Sequence, residues 1–216
     1  MFNIKKYKEI QRFLGENAKN TKIIAISKNH PQESIFEAIN AGVSIFGENR
    51  VMEAKSKFEK IKIDYPNVEL HLTGPLQSNK VKEASLLFDV FHTLDREKIA
   101  KEFHKNADNL VNKKFFIQVN TGEETNKSGV YSRHLKEFLN YCKIDMKLSI
   151  IGLMCIPPIE ENPEYHFKFL QNLAKQNNLN ELSMGMSGDY NLAIKYHPSY
   201  IRLGTILFGK RQWEKK

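Results

Sequence analysis

The chain has 216 residues, 41% hydrophobic and 27% charged, the balance of an ordinary globular protein with material for one sizeable core. Its 33 Lys and Arg against 25 Asp and Glu leave a net charge of +8; the lysines are dispersed, without zinc-finger spacing or an aromatic-basic motif, which reads as a solvated surface rather than a nucleic-acid interface. No apolar run is long enough to span a membrane, the basic start Met1–Lys6 lacks the apolar stretch of a signal peptide, and Cys142 and Cys155 offer neither metal spacing nor a disulfide framework, so a soluble protein of the reducing cytoplasm is expected.

In chain order, Ile4, Tyr7, Ile10 and Phe13 suggest a helix ahead of the first strand. Short apolar runs then predict strands at Lys22–Ser27, Ser44–Phe46, Glu69–Thr73, Asp89–Thr93, Phe115–Asn120, Ile150–Met154, Glu181–Met184 and Tyr200–Leu203. Several are almost continuously apolar, as strands buried on both faces are. Helical stripes separate them: Ile35, Ala38, Ile39 and Gly42; Val51, Ala54, Phe58 and Ile61; a helix over about 95–107; Leu135, Phe138, Leu139 and Cys142; and a helix over about 161–176. Eight strands alternating with helices predict right-handed parallel units that close into a single-domain (β/α)8 TIM barrel spanning 1–216. The alternative, an open doubly wound sheet, calls for a glycine-rich loop after the first strand. That position reads Ser27-Lys28-Asn29-His30-Pro31, without glycine.

A barrel carries its chemistry at the C-terminal strand ends. Lys28 ends the first strand behind Ile23, Ile24, Ala25 and Ile26. Partial desolvation there would lower its pKa and yield the neutral amine that attacks an aldehyde, whereas the ordinary alternative is a lysine snorkelling to solvent. Asn49 and Arg50 follow the second strand, and His71 and Thr73 close the third. Gln118 and Asn120 end the fifth, and Met154 the sixth. Ser187-Gly188-Asp189 after the seventh strand and Gly204-Thr205 after the eighth suit a phosphate site of backbone N–H groups and hydroxyls, or, more simply, a helix cap and a turn. Arg202 is placed to face a ring nitrogen of a ligand or to form a salt bridge in the mouth. The stretch Gly74–Val81 lacks the second glycine and the Ser/Thr of a P-loop, and the histidines lack metal-ligand spacing. His71 on an apolar strand also fits a hydrogen-bonded core histidine.

These segments carry a resemblance. Ala25-Ile26-Ser27-Lys28-Asn29-His30-Pro31, Phe46-Gly47-Glu48-Asn49-Arg50-Val51, His71-Leu72-Thr73-Gly74-Pro75-Leu76-Gln77-Ser78-Asn79-Lys80, Leu182–Ser187, Arg202-Leu203-Gly204-Thr205 and Phe208-Gly209-Lys210-Arg211 occur in that order across nearly the whole chain. The ordered set resembles the pyridoxal 5′-phosphate (PLP) homeostasis protein family, also called the YggS/PROSC family. The resemblance implies a fold like the N-terminal barrel of alanine racemase and PLP held as a Schiff base on Lys28. It places the phosphate on Met186, Ser187, Gly204 and Thr205, sets Arg202 against the pyridine nitrogen, and lets Asn49 and His71 line the same pocket. Two departures stand out: Leu70 where many members carry Trp, and His197-Pro198-Ser199 where many carry a Gly-Ala/Ser-Thr run.

What the resemblance implies is a carrier that balances PLP and amino-acid pools, with PLP-dependent apo-enzymes as acceptors, no membrane or nucleic-acid partner, and a monomeric state. The alternative is an amino-acid racemase. That chemistry needs an acid/base on each face of the substrate carbanion; Lys28 serves one, and no tyrosine in the sequence is marked for the other. The chain ends soon after the eighth strand, so the second domain that supplies this tyrosine in alanine racemase is not expected.

Overall fold

The computed structural model describes residues 1–210; Arg211, the last residue of the C-terminal motif, lies outside the described residues. A first helix, α1 (Ile4–Asn17), precedes β1 (Lys22–Ile26), and the order then runs α2 (Gln32–Asn40), β2 (Ile45–Glu48), α3 (Val51–Asp64), β3 (Glu69–Leu72), α4 (Val81–Leu87), β4 (Val90–Leu94), α5 (Glu97–Lys105) and β5 (Lys114–Asn120). The second half adds β6 (Val130–Tyr131), α6 (Leu135–Asn140), β7 (Ile150–Met154), α7 (Pro163–Gln176), β8 (Glu181–Met186), α8 (Tyr190–Ala193), β9 (Tyr200–Leu203) and α9 (Thr205–Phe208).

The strands pair in parallel in the order β4-β3-β2-β1-β9-β8-β7-β5, and β4 also pairs with β5, which closes an eight-stranded barrel; β6 adds only a short pairing outside β5. Closure excludes the open sheet. Two apolar layers result. Ile24, Ile26, Val90, Phe116, Met154 and Tyr200 pack inside the barrel. A larger cluster, including Phe46, Phe58, Phe91, Phe103 and Phe115, packs between strands and helices. Each such buried aromatic contributes about 1.5–3 kcal/mol over leaving it in water.

The eight predicted strands match within a few residues. Helix α4, absent from the predicted elements, is a two-turn segment with only Val81, Ala84 and Ser85 buried, too short to show a stripe. The leading helix forms, capped by Asn3 Oδ1 on the Lys6 N–H; of its predicted stripe Tyr7 and Ile10 are buried and Phe13 is half-buried against the core, while Ile4 is exposed and Leu14 completes the buried face. This helix has structural work at the far end of the chain. The Asn3 N–H donates to the Leu207 carbonyl (2.7 Å), and Phe2 packs on Phe208 with ring centroids 5.2 Å apart. The chain start thus braces α9, which carries Thr205.

The His197-Pro198-Ser199 departure is accommodated without glycine. His197 itself takes the left-handed conformation, φ 52°, at the end of the segment before β9. The turn is then pinned by Thr21 Oγ1 donating to the Pro198 carbonyl (2.6 Å) and by the Ser199 N–H donating to Leu182 O (2.8 Å). Leu70, the other departure, is fully buried in the layer between strands and helices.

Candidate functional site

Lys28 stands just past β1, half-buried. The turn that carries it depends on Asn29 at φ 59°, a left-handed conformation that asparagine tolerates better than most residues. Beneath the turn lies a buried charge cluster. The fully buried Ser27 hydroxyl donates to Glu48 Oε1 (2.7 Å). Lys57 Nζ donates to the Ser27 carbonyl (2.9 Å) and pairs with Glu48 Oε1 (2.6 Å) and Glu53 Oε1 (3.0 Å). The Asn29 N–H donates to the same Glu53. The residues on both sides of Lys28 are therefore fixed by α3 and β2. Burial pushes the Glu48 carboxyl up to about 7, against the opposing pull of Lys57, and Glu48 Oε2 has no hydrogen-bond partner among the described residues. Sequence reasoning missed this cluster. Its one signal was Glu48 itself, a charge at the end of an apolar strand.

The second strand end supplies Asn49. Its Oδ1 accepts from Thr73 Oγ1 (3.0 Å), and the chain passes tightly over it: a Cβ on Gly74 would meet the Asn49 carbonyl oxygen at 2.4 Å. Only glycine fits that crossing.

The opposite side of the mouth is shaped by a bulge in β8. The register against β9 shifts between Ser183 and Met186, and Gly185 there adopts φ 88° with no room for a Cβ beside Ala193. A bulge re-aims the residues that follow it, here Met186 and Ser187. Ser187 Oγ accepts from the N–H groups of Gly204 (3.3 Å) and Ile206 (3.4 Å), tying the loop after β8 to the first turn of α9. Asp189 turns back to accept from the Met186 N–H (2.6 Å) and makes no side-chain cap on α8.

Arg202 is 5% exposed. It forms no salt bridge among the described residues; Nη1 donates to Ser183 Oγ and Nη2 to the Cys155 carbonyl, both at 2.8 Å. Burial lowers its pKa from the usual arginine value, with the Cys155 and Asp189 side chains acting in the other direction.

These strand ends enclose an open cavity of about 250 Å³ lined by Ile26, Lys28, His30, Asn49, Thr73, Ile156, Met186, Ser187, Gly188, Arg202, Gly204 and Thr205. Of the residues the sequence singled out for the ligand, only His71 does not line it. His71 is a correction. It lies fully buried inside the barrel, its ring nitrogens bonded to His92 and Glu69 and its edge on Tyr200. Alternate residues of a strand share a face, so Thr73 reaches the cavity two residues on while His71 sits beneath. Gln118 and Asn120 instead hold the loop after β5 through the carbonyls of Ser128 and Glu124, and Met154 packs in the barrel interior. His30, stacked on Phe208 at 5.2 Å, and Ile156 are lining residues that spacing did not indicate. A larger hollow of about 640 Å³ opens at the N-terminal rim around Lys22, Lys114, Glu181 and His197. Barrel chemistry belongs to the other end, where the lysine, the buried arginine and the hydroxyl loops meet. Among the described residues no cluster of His, Cys, Asp or Glu is arranged to hold a metal ion.

The lining suits a flat anionic aldehyde. Lys28 offers an amine at one wall, Arg202 a buried cation with neutral partners, and Ser187, Gly188, Gly204 and Thr205 a glycine-containing hydroxyl rim where a phosphate dianion can approach the backbone. Residues 4–212 match the family model of the alanine racemase N-terminal domain. A pyridoxal phosphate homeostasis protein of Aquifex aeolicus is 39% identical over 210 residues, covering 92% of this chain and 90% of the relative. PipY of Synechococcus elongatus, solved without PLP, superposes with a TM-score of 0.86 at 34% identity over 95% of this chain and 99% of that one. Its PLP-bound form gives 0.82 over 94% and 100%. By family model, sequence and fold together, the chain belongs to the alanine racemase N-terminal-domain family and, within it, to the pyridoxal phosphate homeostasis proteins.

Proposed function

We propose that this protein holds PLP on Lys28 and serves PLP homeostasis as a carrier without catalytic turnover. The observation that carries the reading is that one cavity is lined by the half-buried Lys28, by Ser187, Gly204 and Thr205, and by Arg202, which is buried between neutral partners. The PLP-bound relative with the same barrel supports it. PLP supplies an aldehyde that an amine captures reversibly. The chain's own residues do the rest. The Ser187 and Thr205 hydroxyls and the neighbouring glycine backbone would hold the phosphate. Arg202, always a donor, would approach the ring nitrogen and disfavour its protonation, so that the ring would be a weak electron sink. Asn49 and Met186, which line the same cavity, would contact the bound group, and the cluster under Ser27 keeps the lysine in place.

Carrier function, rather than racemisation, is favoured by the proton-carrying groups of the cavity. Among the described lining residues these are Lys28, His30 and Arg202, and no tyrosine is one of them; Lys28 and His30 leave the same strand end. We further read the chain as one domain acting as a cytoplasmic monomer that yields PLP to apo-enzymes. Among the described residues no helix is long and apolar enough to cross a membrane.

The test is an absorbance titration with PLP, then borohydride reduction and peptide mapping. One phosphopyridoxyl group on Lys28, lost in Lys28→Ala with the fold retained, is the expected result. Label scattered over surface lysines would overturn the site. Deuterium exchange at the Cα of added amino acids, absent in a carrier, separates the racemase.

A further inference from the structure

Arg202 leads into a chain of buried polar groups that the binding role does not explain. Ser183 Oγ, which accepts from Arg202, lies 2.9 Å from His92 Nδ1. His92 Nε2 lies 2.8 Å from His71 Nδ1, and His71 Nε2 lies 2.9 Å from Glu69 Oε1. Ser183, His92 and His71 are wholly buried, while the Glu69 side chain is one-third exposed. The chain draws on β9, β8, β4 and β3, and it crosses the barrel interior from the mouth to the N-terminal rim.

Its two ends fix its direction. Arginine has only donors and an ionised carboxylate only acceptors. Burial holds both histidines below their ordinary pKa, and the His71 hydrogen bond holds Glu69 below the usual carboxylate value. A neutral imidazole donates from one nitrogen and accepts at the other. Facing Glu69, His71 must donate from Nε2 and accept at Nδ1. His92 must then donate from Nε2 and accept at Nδ1, and the Ser183 hydroxyl must donate to it. That leaves a Ser183 lone pair for the Arg202 N–H. Every proton points from the mouth to the rim. The opposite tautomers would set a bare His71 Nε2 against the Glu69 carboxylate. Among the surroundings, Lys22 and Lys114 favour the ionised Glu69. Asp89 favours a protonated His71, but burial outweighs both it and Glu69, with Lys114 acting on the side of the neutral ring. Arg202 disfavours charge on His92, and the Tyr200 ring edge packs on both imidazoles.

We propose that Glu69, His71, His92 and Ser183 are positioning residues for Arg202, a one-directional hydrogen-bond relay that orients the buried guanidinium toward the cavity and disperses its charge to the opposite rim. Because every proton along it points away from the mouth, the relay delivers none to a ligand ring. The effect on cofactor rests on the function proposed above; the relay itself does not.

The test uses the full chain labelled with ¹⁵N-histidine and free of cofactor. Long-range ¹H–¹⁵N correlation is expected to show His71 and His92 each with the proton on Nε2 and a bare Nδ1. In Glu69→Ala, at the partly exposed rim, both residues should lose this single tautomer, and PLP affinity should fall by about 2- to 30-fold. Glu69→Gln retains an acceptor oxygen and should restore tautomers and affinity. A proton on Nδ1 of either histidine in the unaltered protein overturns the direction, and unchanged PLP affinity in Glu69→Ala overturns the positioning role. If the tautomers are as stated but the unaltered protein takes up no PLP, the relay stands and the carrier reading falls.

Discussion

Glu48 and the hydroxyl rim of the cavity show how much turns on single side chains. Burial outweighs the Lys57 ion pair and carries the Glu48 carboxyl from 4.5 to about 7. A carboxyl whose folded pKa lies above its unfolded value stabilises fully below the unfolded value, and that contribution disappears as pH rises through the folded one. The shift corresponds to on the order of 3 kcal/mol. Urea unfolding of the unaltered protein should therefore show stability falling between about pH 4.5 and 7 relative to Glu48→Gln, which cannot ionise; parallel curves would mean that Glu48 does not titrate there. At the rim, Ser187 Oγ accepts from the Gly204 and Ile206 N–H groups and keeps its own proton for a ligand, and Thr205 adds a second hydroxyl to the lining. Ser187→Ala with Thr205→Ala should weaken PLP more than pyridoxal, by about 1–3 kcal/mol for charge-assisted bonds. Equal losses for both ligands would place the phosphate elsewhere.

Among the elements, β8 does the most to shape the mouth. Its bulge depends on Gly185, at φ 88°, where an added Cβ would stand 2.7 Å from the Ala193 Cβ. Gly185→Ala should cost about 1–3 kcal/mol of stability from backbone strain and crowding and should weaken PLP by displacing Met186 and Ser187. Circular dichroism with an unfolding titration gives the first, and the absorbance titration the second. An unchanged midpoint would mean that the bulge tolerates a side chain. The sequence showed the glycine within a motif but not the bulge, because a register shift is a relation between β8 and β9. Helix α1 makes the same point. Its helical period was readable, yet which residues face inward was decided by Phe2 and Asn3 docking on α9.

Over the whole molecule, the barrel interior stores two neutral histidines. Folded pKa values below 6.5 mean that the unfolded chain takes up protons first, so stability is lost as pH falls below about 6.5, at up to ~1.4 kcal/mol per pH unit for each histidine. The Glu48 contribution runs the other way between about 4.5 and 7, so the cleanest reading comes in Glu48→Gln. There, adding His92→Phe should flatten the acid limb by ~1.4 kcal/mol per pH unit, whatever it does to stability at neutral pH. An unchanged slope would mean that His92 titrates normally.

Periodicity and element order sufficed for the eight-strand alternation and for a barrel over an open sheet, and they put Lys28, Asn49, Ser187, Arg202, Gly204 and Thr205 at strand ends; the family resemblance selected these and Met186 from the other strand-end residues, and all seven line one cavity. Strand ends are readable because an apolar run stops there. Depth within the barrel is not. His71 and Thr73 alternate identically along the chain, yet Thr73 lines the cavity while His71 bonds to His92 from a strand away. The Glu48–Lys57 pair, the β8 bulge and the relay to Arg202 likewise join residues from different elements. Such contacts exist only once the ring closes and sets the strand register. A sequence by itself states which groups are polar; the closed barrel decides which of them must satisfy one another away from water.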